Sequence, residues 1–313
     1  MKIAIRVERH KIDKRHPYFD LLDEFCFKSK NLYNFANYHI RQSFIKNEGK
    51  YINYYEMDKL LKTADKDFDY RNMPSAQSSQ QCLRLLDKNW KSFFTGVKDW
   101  SKNKDKYTGK PNLPRYLDKN GRNLLILTNS DCKIRNSVVV FPKKFKGFSI
   151  RTKVDNIQQV RILPRNNFIL IEVVYRMEVA TSLTDNDRYL GIDIGLDNLA
   201  TITNNFGNES VIMNGKHIKS INQYYNKKLS KQRSIAKRMN SSNWTKEMNK
   251  LTIKRNNMID DKLHKASKSI IDYALSCEAN TIVIGNNKDW KRESKMSKKV
   301  NQKFIGIPHQ RFI

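Results

Sequence analysis

The chain has 313 residues, of which 39% are hydrophobic, and 60 Lys and Arg against 31 Asp and Glu leave a formal net charge of +29. This length can hold two domains, each with its own hydrophobic core. The basic residues run from Lys2 to Arg311 and do not form a tail, and no apolar run approaches the ~18 residues of a membrane span. A nucleic acid is therefore the expected partner, and a solvated basic surface with no partner is the alternative.

The cysteines indicate a reduced protein. Cys26, Cys82, Cys132 and Cys277 lie far apart and form no C-x-x-C pair. A zinc ribbon and a disulfide framework are therefore not expected within this chain. The first residues, MKIAIRV, have the pattern of a strand and not of a signal peptide, which together with the cysteines predicts a cytoplasmic protein. The richness in Asn, Lys and Ile is typical of a low-GC bacterial gene, and a nucleic-acid partner would make the protein nucleoid-associated.

The first third of the chain is predicted to be one strand followed by helices. Ile3, Ile5 and Val7 alternate as in a half-buried strand that has no partner nearby. Helical spacing predicts helices at about 20–47 and 56–63, and Pro74 with Ser75 opens the clearest helix. Its apolar stripe includes Trp90 and Trp100, which are more typical of a core than of a binding surface. The other faces carry basic residues that predict a nucleic-acid surface or a solvated one: Arg84, Lys88, Lys91 and Lys98.

The middle of the chain is predicted to form a small β-barrel. Residues 103–122 are rich in Lys, Asn, Gly and Pro around KYTGKPNLPRY, and short β-rich segments follow at 124–127, 138–141, 149–154, 160–163 and 168–175. This spacing is typical of a small barrel, which the isolated first strand would join. The predicted domains are thus a barrel from 1–10 and 103–180, a helical insertion at 11–102, and a third region at 188–313.

The third region opens with RYLGIDIGLDNLATITN, which predicts two antiparallel strands joined by a glycine turn, with Asp193 inside the first strand. A carboxylate buried in a strand is costly to desolvate unless a cation meets it, and a divalent metal is one solution. The alternative is an Asp that caps the turn or pairs with Lys or Arg. Two long basic helices, at about 218–239 and 246–278, precede a buried-type strand at Thr281–Ile284.

Several segments resemble, in the same order, those of the TnpB family, the OrfB-type accessory proteins of bacterial insertion sequences that are relatives of type V CRISPR nucleases. GIDIGLDNLAT resembles the first catalytic motif of the family's RuvC nuclease domain. The others are KNLYNFANYHIRQ, QSSQQCLRLLDKNWKSFF, GKPNLPRY, RNNMIDDKLHKAS, TIVIGNNKDWK and IPHQRFI. The implied fold is an α+β multidomain protein with a wedge barrel, an inserted helical recognition domain and a RuvC-like α/β domain of the RNase H type.

The resemblance implies RNA-guided recognition and cleavage of DNA, with guide RNA and target DNA as partners. The protein would hold the heteroduplex in a basic channel and read its backbone and shape. Cleavage in the family uses Mg²⁺ ions ~3.5–4 Å apart, held by carboxylates. Asp193 would be a catalytic metal ligand. The family also binds zinc, but in a ribbon that this chain does not contain.

The sequence departs from the family where further carboxylates are needed. Many relatives have a Glu directly after the strand Thr281–Ile284, where this chain has Gly285. Asp289 and Glu293 lie in a basic polar loop and are not expected to be ligands. The missing Glu, a final Asp and the zinc ribbon would follow Ile313, so the RuvC domain is expected to be C-terminally truncated.

Four interpretations remain open at this point. The chain is a truncated member without cleavage activity, a nuclease-dead RNA-guided transcriptional repressor, or one part of a nuclease that a separate polypeptide completes. A plain basic nucleic-acid-binding protein without a guide is the alternative from another class.

Further residues are expected to contact nucleic acid. Lys110, Arg115 and Tyr116 lie in GKPNLPRY, where a purely turn-forming role of the prolines is the alternative. His264 and Lys265 match a family pattern in the domain interior and are expected to be structural or to contact the guide strand, and not to be catalysts. A weaker basic set lies on the predicted barrel: Lys143, Lys144, Arg151 and Lys153.

Overall fold

The computed structural model describes residues 2–46, 49–63, 69–165, 167–179, 183–239, 244–286 and 297–313. The chain divides into a first unit, residues 1–181, and a second unit, residues 182–313. Within the described ranges, no helix is long and apolar enough to cross a membrane.

The helices of the first unit are α1 (Phe19–Lys46), α2 (Tyr54–Thr63), α3 (Asp69–Asn72) and α4 (Ala76–Lys102). Helix α4 begins where the sequence predicts it. Ser75 Oγ accepts from the backbone N–H of Ser78 at 3.0 Å, and Ser78 Oγ accepts from the backbone N–H of Ser75 at 3.1 Å. This reciprocal capping satisfies two N–H groups that the first helical turn leaves unpaired.

The strands of the first unit form two antiparallel sheets. They are β1 (Lys2–Asp13), β2 (Leu125–Thr128), β3 (Lys133–Arg135), β4 (Val138–Val140), β5 (Ser149–Arg151), β6 (Gln159–Pro164) and β7 (Phe168–Val179). The sheet orders are β1-β7-β6-β2 and β3-β4-β5. Among the described residues no ladder joins the two sheets, so the predicted closed barrel is not confirmed. The first strand does pair with a later one, β7, over its whole length, so α1–α4 fall in sequence between two strands of one sheet.

A buried carboxylate lies in the larger sheet. Glu172 on β7 is 6% exposed and stands in register with Arg9 on β1 and Arg161 on β6. Its two oxygens lie 3.1 Å from Arg9 Nε and 2.8 Å from Arg161 Nη2. Three strands are thus linked by one acid whose burial is compensated by two guanidinium groups.

The second unit is a mixed sheet with helices. Its elements are β8 (Tyr189–Asp193), β9 (Asn198–Asn204), β10 (Val211–Asn214), α5 (Lys216–Arg238), α6 (Lys246–Ser276), β11 (Thr281–Ile284), α7 (Lys298–Ile305) and α8 (His309–Phe312). The sheet order is β10-β9-β8-β11. Strand β8 pairs antiparallel with β9 and parallel with β11, and α5 packs along α6. The core forms between sheet and helices from apolar side chains such as Leu190, Ile202, Ile218, Ile259 and Leu263.

The mixed α/β class expected from the sequence is confirmed, and the long helices begin and end within about two residues of their predicted positions.

The four cysteines are free and buried. Burial raises the pKa of the Cys82 thiol to about 12 and also raises the pKa of Cys26 and Cys132. These three thiols therefore stay protonated at neutral pH and act as small apolar side chains.

Candidate nucleic-acid-binding surfaces and the Asp193 strand

Helix α4 carries a basic stripe on the face opposite its buried residues. Trp90 is fully buried, as the sequence predicts, and donates its indole N–H to Asn37 Oδ1 at 3.0 Å. Lys88 and Lys98 are exposed and make no ion pair within the described ranges. The other two predicted residues are also exposed but engaged: Arg84 Cζ lies 4.4 Å from the centre of the Tyr54 ring, and Lys91 pairs with Asp87 at 2.7 Å. Lys88 and Lys98 therefore have the charges most available to phosphates.

The segment 111–117 has no helix or strand, and side chains of α1 hold its backbone. Asn34 donates to Leu117 O at 2.9 Å and accepts from Leu117 N at 2.8 Å. Pro114 O accepts from Asn37 Nδ2 at 3.1 Å and from Arg41 Nη1 at 2.9 Å. Pro111 and Pro114 lack the backbone N–H that a strand or helix needs, and these side-chain hydrogen bonds satisfy the backbone groups of the segment instead. The segment is consequently fixed on α1.

The same face of α1 extends to Lys30, whose ammonium donates to Lys119 O at 2.8 Å. Lys30 is only 4% exposed, and burial lowers its pKa. Residues 30, 34, 37 and 41 follow four-three-four spacing, which places them on one side of a helix. Sequence reasoning missed this polar stripe, although it lies in KNLYNFANYHIRQ. The spacing was a usable signal, because a polar stripe on an otherwise buried helix face needs partners.

The predicted contact residues Lys110, Arg115 and Tyr116 are all exposed on or beside this fixed segment. Arg41 Cζ lies 5.2 Å from the centre of the Tyr116 ring. Lys110 Nζ and Lys104 Nζ lie 6.0 and 5.6 Å from the half-buried Trp100 ring. A cation and an aromatic side chain on a rigid backbone are suited to a phosphate and a stacked base or sugar.

The basic set predicted on the barrel is less uniform. Lys143, Arg151 and Lys153 are exposed on the smaller sheet and the turns beside it. Lys144 differs, because its ammonium donates to Met73 O at 2.7 Å and to Arg71 O at 3.0 Å. Its ammonium group thus satisfies one backbone carbonyl in α3 and one between α3 and α4.

Asp193 is the last residue of β8, and its side chain is exposed. The buried residues Leu190 and Ile192 alternate with Gly191 and Asp193, which face the other side of the strand. Within the described ranges, the carboxylate makes no hydrogen bond and no ion pair. The desolvation cost expected from its place in a strand therefore does not arise, because strand alternation turns Asp193 toward solvent.

The position beside Asp193 on the neighbouring strand is Gly285. Strand β11 runs parallel to β8 with Ile284 opposite Ile192, and the N–H of Gly285 donates to Ile192 O at 3.1 Å. A Cβ on Gly285 would meet no atom closer than Ile192 O at 3.7 Å. A side chain would fit here next to Asp193, but the chain provides none.

The turn after Asp193 is held by the last helix. A Cβ on Gly195 would lie 2.8 Å from Asn198 O, so this tight turn requires glycine. His309 on α8 is 1% exposed, and its Nε2 lies 3.1 Å from Gly195 O. Because a carbonyl only accepts, Nε2 carries the hydrogen in this bond. His309 thus positions the turn that follows Asp193, a role that sequence reasoning missed.

The Mg²⁺ expected from the resemblance needs more than one carboxylate, and the described residues do not supply such a group. Among them, no three His, Cys, Asp or Glu side chains come together as metal ligands. Asp289 and Glu293 lie outside the described residues. A two-metal centre therefore does not fit the described side chains around Asp193.

His264 and Lys265 lie on α6 and are both exposed, which corrects the expectation that they lie in the domain interior. Helix periodicity explains the difference, because Leu263 on the same turn is the residue that packs into the core. Lys265 pairs with Asp261 at 2.9 Å, one turn earlier.

One protein-family model matches part of the chain. Residues 172–291 match the model of the OrfB_IS605 family, described as a probable transposase. This match runs from β7 past β11, includes Asp193, and confirms the resemblance to TnpB-type proteins. A search of curated proteins found no match.

Two solved structures are similar to the chain. The protein of a Cas12f1-sgRNA-target DNA complex is 12% identical with a TM-score of 0.30, and the match covers 98% of this chain and 80% of that one. The protein of a CRISPR-Cas12f ternary complex is 12% identical with a TM-score of 0.34, covering 92% of this chain and 68% of that one.

Proposed function

We propose that this chain, a TnpB-like protein carrying the OrfB_IS605 segment at residues 172–291, is an RNA-guided DNA-binding protein. The observation that carries the proposal is the family match around the Asp193 strand in a chain of net charge +29. In a guided protein, base pairing reads the sequence and the protein reads phosphates and shape. The partners are therefore a guide RNA and a target DNA.

The contacts proposed for this binding lie in the first unit. Lys88 and Lys98 on α4 would bind phosphates as unpaired cations, whereas Arg115 and Tyr116 would bind from the fixed segment 111–117. Such contacts position the nucleic acid without reading its bases. The rigidity that α1 gives to the segment lowers the entropy lost on binding.

We propose no cleavage step for the described residues. Two-metal hydrolysis requires several carboxylates around one pair of ions, and Asp193 has Gly285 as its neighbour on β11. The function favoured here is thus guided binding without cutting, as in a repressor that occupies DNA. Mg²⁺-dependent cleavage by the whole chain is the competing function.

The first experiment purifies the chain from its own host and sequences the nucleic acid that stays bound. One discrete, structured RNA would support guided binding. Random fragments of RNA and DNA would contradict it and leave a plain basic nucleic-acid-binding protein. The control is the same purification after a wash in high salt, which removes contacts that depend only on phosphates.

The second experiment separates binding from cutting. The chain with its bound RNA is incubated with matching DNA and Mg²⁺, alongside Asp193→Ala. Retarded but intact DNA, equal for both proteins, is the expected result. Cleavage by the wild-type protein that disappears in Asp193→Ala would instead make Asp193 a catalytic residue and overturn the binding-only function.

A further inference from the structure

The second unit contains a polar pocket away from the Asp193 strand. It has a volume of about 560 Å³, within the range of small-ligand sites, and lies between α5, α6 and α7. Four of its lining residues carry side-chain amides, and the others include a tyrosine and an arginine. The lining is Asn222, Tyr225, Asn226, Arg255, Asn301, Gln302, Ile305 and Gly306.

Arg255 is a half-buried cation without a carboxylate partner in the described ranges. Its three bonded N–H groups all donate to neutral acceptors: Asn222 Oδ1 at 2.8 Å, Asn256 Oδ1 at 2.9 Å and Gly306 O at 2.6 Å. A guanidinium has five N–H donors, so two remain for a ligand. A partly desolvated cation of this kind attracts an anion.

Asn301 provides a hydrogen-bond acceptor beside the spare donors of Arg255. Its Oδ1 is buried and has no hydrogen-bond partner among the described residues. An amide oxygen left unpaired in this way is costly unless a ligand or water donates to it. The pocket therefore offers an acceptor and spare donors next to the Tyr225 ring, whose centre lies 5.7 Å from Arg255 Cζ. A flat ligand with both donors and acceptors on its edge, such as a nucleobase, satisfies all three.

A second pocket of about 210 Å³ adjoins the first, because both include Tyr225 and Arg255 in their linings. The second is lined also by His217, Tyr224 and Lys254. Among the described residues that line either pocket, none is acidic. The larger pocket is lined mainly by side-chain amides, and the smaller one combines the cations Lys254 and Arg255 with the apolar side chains of Ile221, Leu251 and Met258.

We propose that the two pockets bind one unpaired nucleotide of a single-stranded RNA or DNA. The base lies in the larger pocket against Tyr225, where Asn301 Oδ1 accepts from its edge. The phosphate lies on the side of Lys254 and Arg255. The proposal rests on nucleic-acid binding by the chain but concerns a different surface from those of α4 and the segment 111–117.

The test measures binding of the full chain, freed of nucleic acid in high salt, to a short fluorescent single-stranded oligonucleotide. The comparison probe has the same phosphates but abasic sugars, and each probe is made as DNA and as RNA to identify the source. Stacking is worth about 1–3 kcal/mol per base, so the normal probe should bind on the order of tenfold more tightly than the abasic one.

Two variants and one control make the test specific. Arg255→Gln removes the cation, and Asn301→Leu removes the unpaired acceptor without breaking any described hydrogen bond. Asn301→Leu should abolish the preference for bases and leave thermal stability unchanged. Arg255→Gln should weaken the binding of the normal and the abasic probe alike, because Arg255 lies on the phosphate side. Lys227→Gln removes a charge from an exposed part of α5 outside both pockets and should keep the preference.

The outcomes are distinct. Loss of the base preference in Asn301→Leu, weaker binding of both probes by Arg255→Gln, and an unchanged preference in Lys227→Gln support the proposal. A preference that survives Asn301→Leu, or a wild-type protein that binds normal and abasic probes equally, overturns the pocket while leaving general nucleic-acid binding intact. Failure to bind any probe would overturn both the pocket and the proposed function.

Discussion

Asp193 and Glu172 are two strand carboxylates whose surroundings differ completely. Glu172 is buried between Arg9 and Arg161, whereas Asp193 is exposed and unpaired within the described ranges. Neutralising a buried, paired acid leaves the charges of its partners uncompensated. Neutralising an exposed, unpaired acid changes the stability of the fold little. Only Glu172 is therefore built into the stability of the fold.

This contrast predicts opposite results for two matched substitutions. Glu172→Gln should lower the free energy of unfolding by about 1–3 kcal/mol, because the neutral amide keeps one acceptor oxygen but turns its NH₂ group toward the second guanidinium. Asp193→Asn should change it by less than about 0.5 kcal/mol. Urea unfolding at neutral pH measures both. A large loss in Asp193→Asn would show that the carboxylate is structural after all.

The position of Gly285 beside Asp193 can be tested by introducing a second carboxylate there. Gly285→Glu should fold, because a Cβ has 3.7 Å of space there, and should place a second carboxylate next to Asp193. Two carboxylates form a weak site for Mn²⁺, and at ten times the Kd the bound ion would add about 1.4 kcal/mol to the stability. Gly285→Gln is the uncharged control. Equal thermal shifts with Mn²⁺ for the two variants would contradict the juxtaposition.

At the scale of elements, Asp87 joins α4 to the start of α2. Its Oδ1 accepts from Tyr51 Oη at 2.8 Å and from the backbone N–H of Tyr54 at 3.0 Å, while Oδ2 pairs with Lys91. Burial alone would raise the pKa of Asp87, but these hydrogen bonds outweigh it and hold the pKa below the ordinary value of 3.8. A depressed folded-state pKa stabilises the fold above pH 3.8, and this stabilisation is lost as the pH falls through the folded value.

Asp87→Asn should therefore lower the free energy of unfolding by about 1–3 kcal/mol at neutral pH. The difference from the wild-type protein should shrink as the pH falls below about 3.8. Denaturant melts across an acid pH series measure it. Asp272→Asn is the control, since Asp272 forms an exposed pair with Lys268 on α6. A difference that stays constant down to the acid transition would contradict the assignment.

In the segment 111–117, substitutions can distinguish residues that position the backbone from residues that contact the nucleic acid. Asn34→Ala breaks both hydrogen bonds to Leu117 without changing any charge. It should weaken nucleic-acid binding while leaving the slope of log K against log[salt] unchanged. Arg115→Gln should reduce that slope by about 0.9, as expected for one lost phosphate contact. Binding titrations at several salt concentrations distinguish the two, and equal slope changes would refute the division of roles.

The elements that sequence reasoning predicted are those with a local cause. The Ser75 cap and the 3.6-residue periodicity define α4, and alternation defines β8, because neighbouring residues alone determine these patterns. The 12-residue ladder between β1 and β7 depends on residues far apart in sequence, so its length was not predictable. The exposed orientation of Asp193 was predictable from alternation, whereas the bond from His309 to Gly195 was not, since it needs the folded second unit.

At the scale of the whole molecule, a net charge of +29 makes nucleic-acid binding steeply dependent on salt. A protein with 6–10 phosphate contacts loses about 10³–10⁵ in affinity between 50 and 200 mM salt. Charge alone does not decide which lysines contribute. The structure separates Lys88 and Lys98, exposed without ion pairs in the described ranges, from Lys144, whose ammonium is bonded to Met73 O and Arg71 O.

The double variant Lys88→Gln with Lys98→Gln should therefore reduce the salt slope by about 1.8, because each lost phosphate contact contributes about 0.9. Lys144→Gln is the matched control. It should leave the slope unchanged and instead lower the free energy of unfolding by about 1 kcal/mol, because two backbone carbonyls lose a charged donor. Salt titrations of duplex binding and denaturant melts measure the two effects. A slope change in Lys144→Gln equal to that of one lysine of the double variant would mean that binding depends on total charge and not on the α4 stripe.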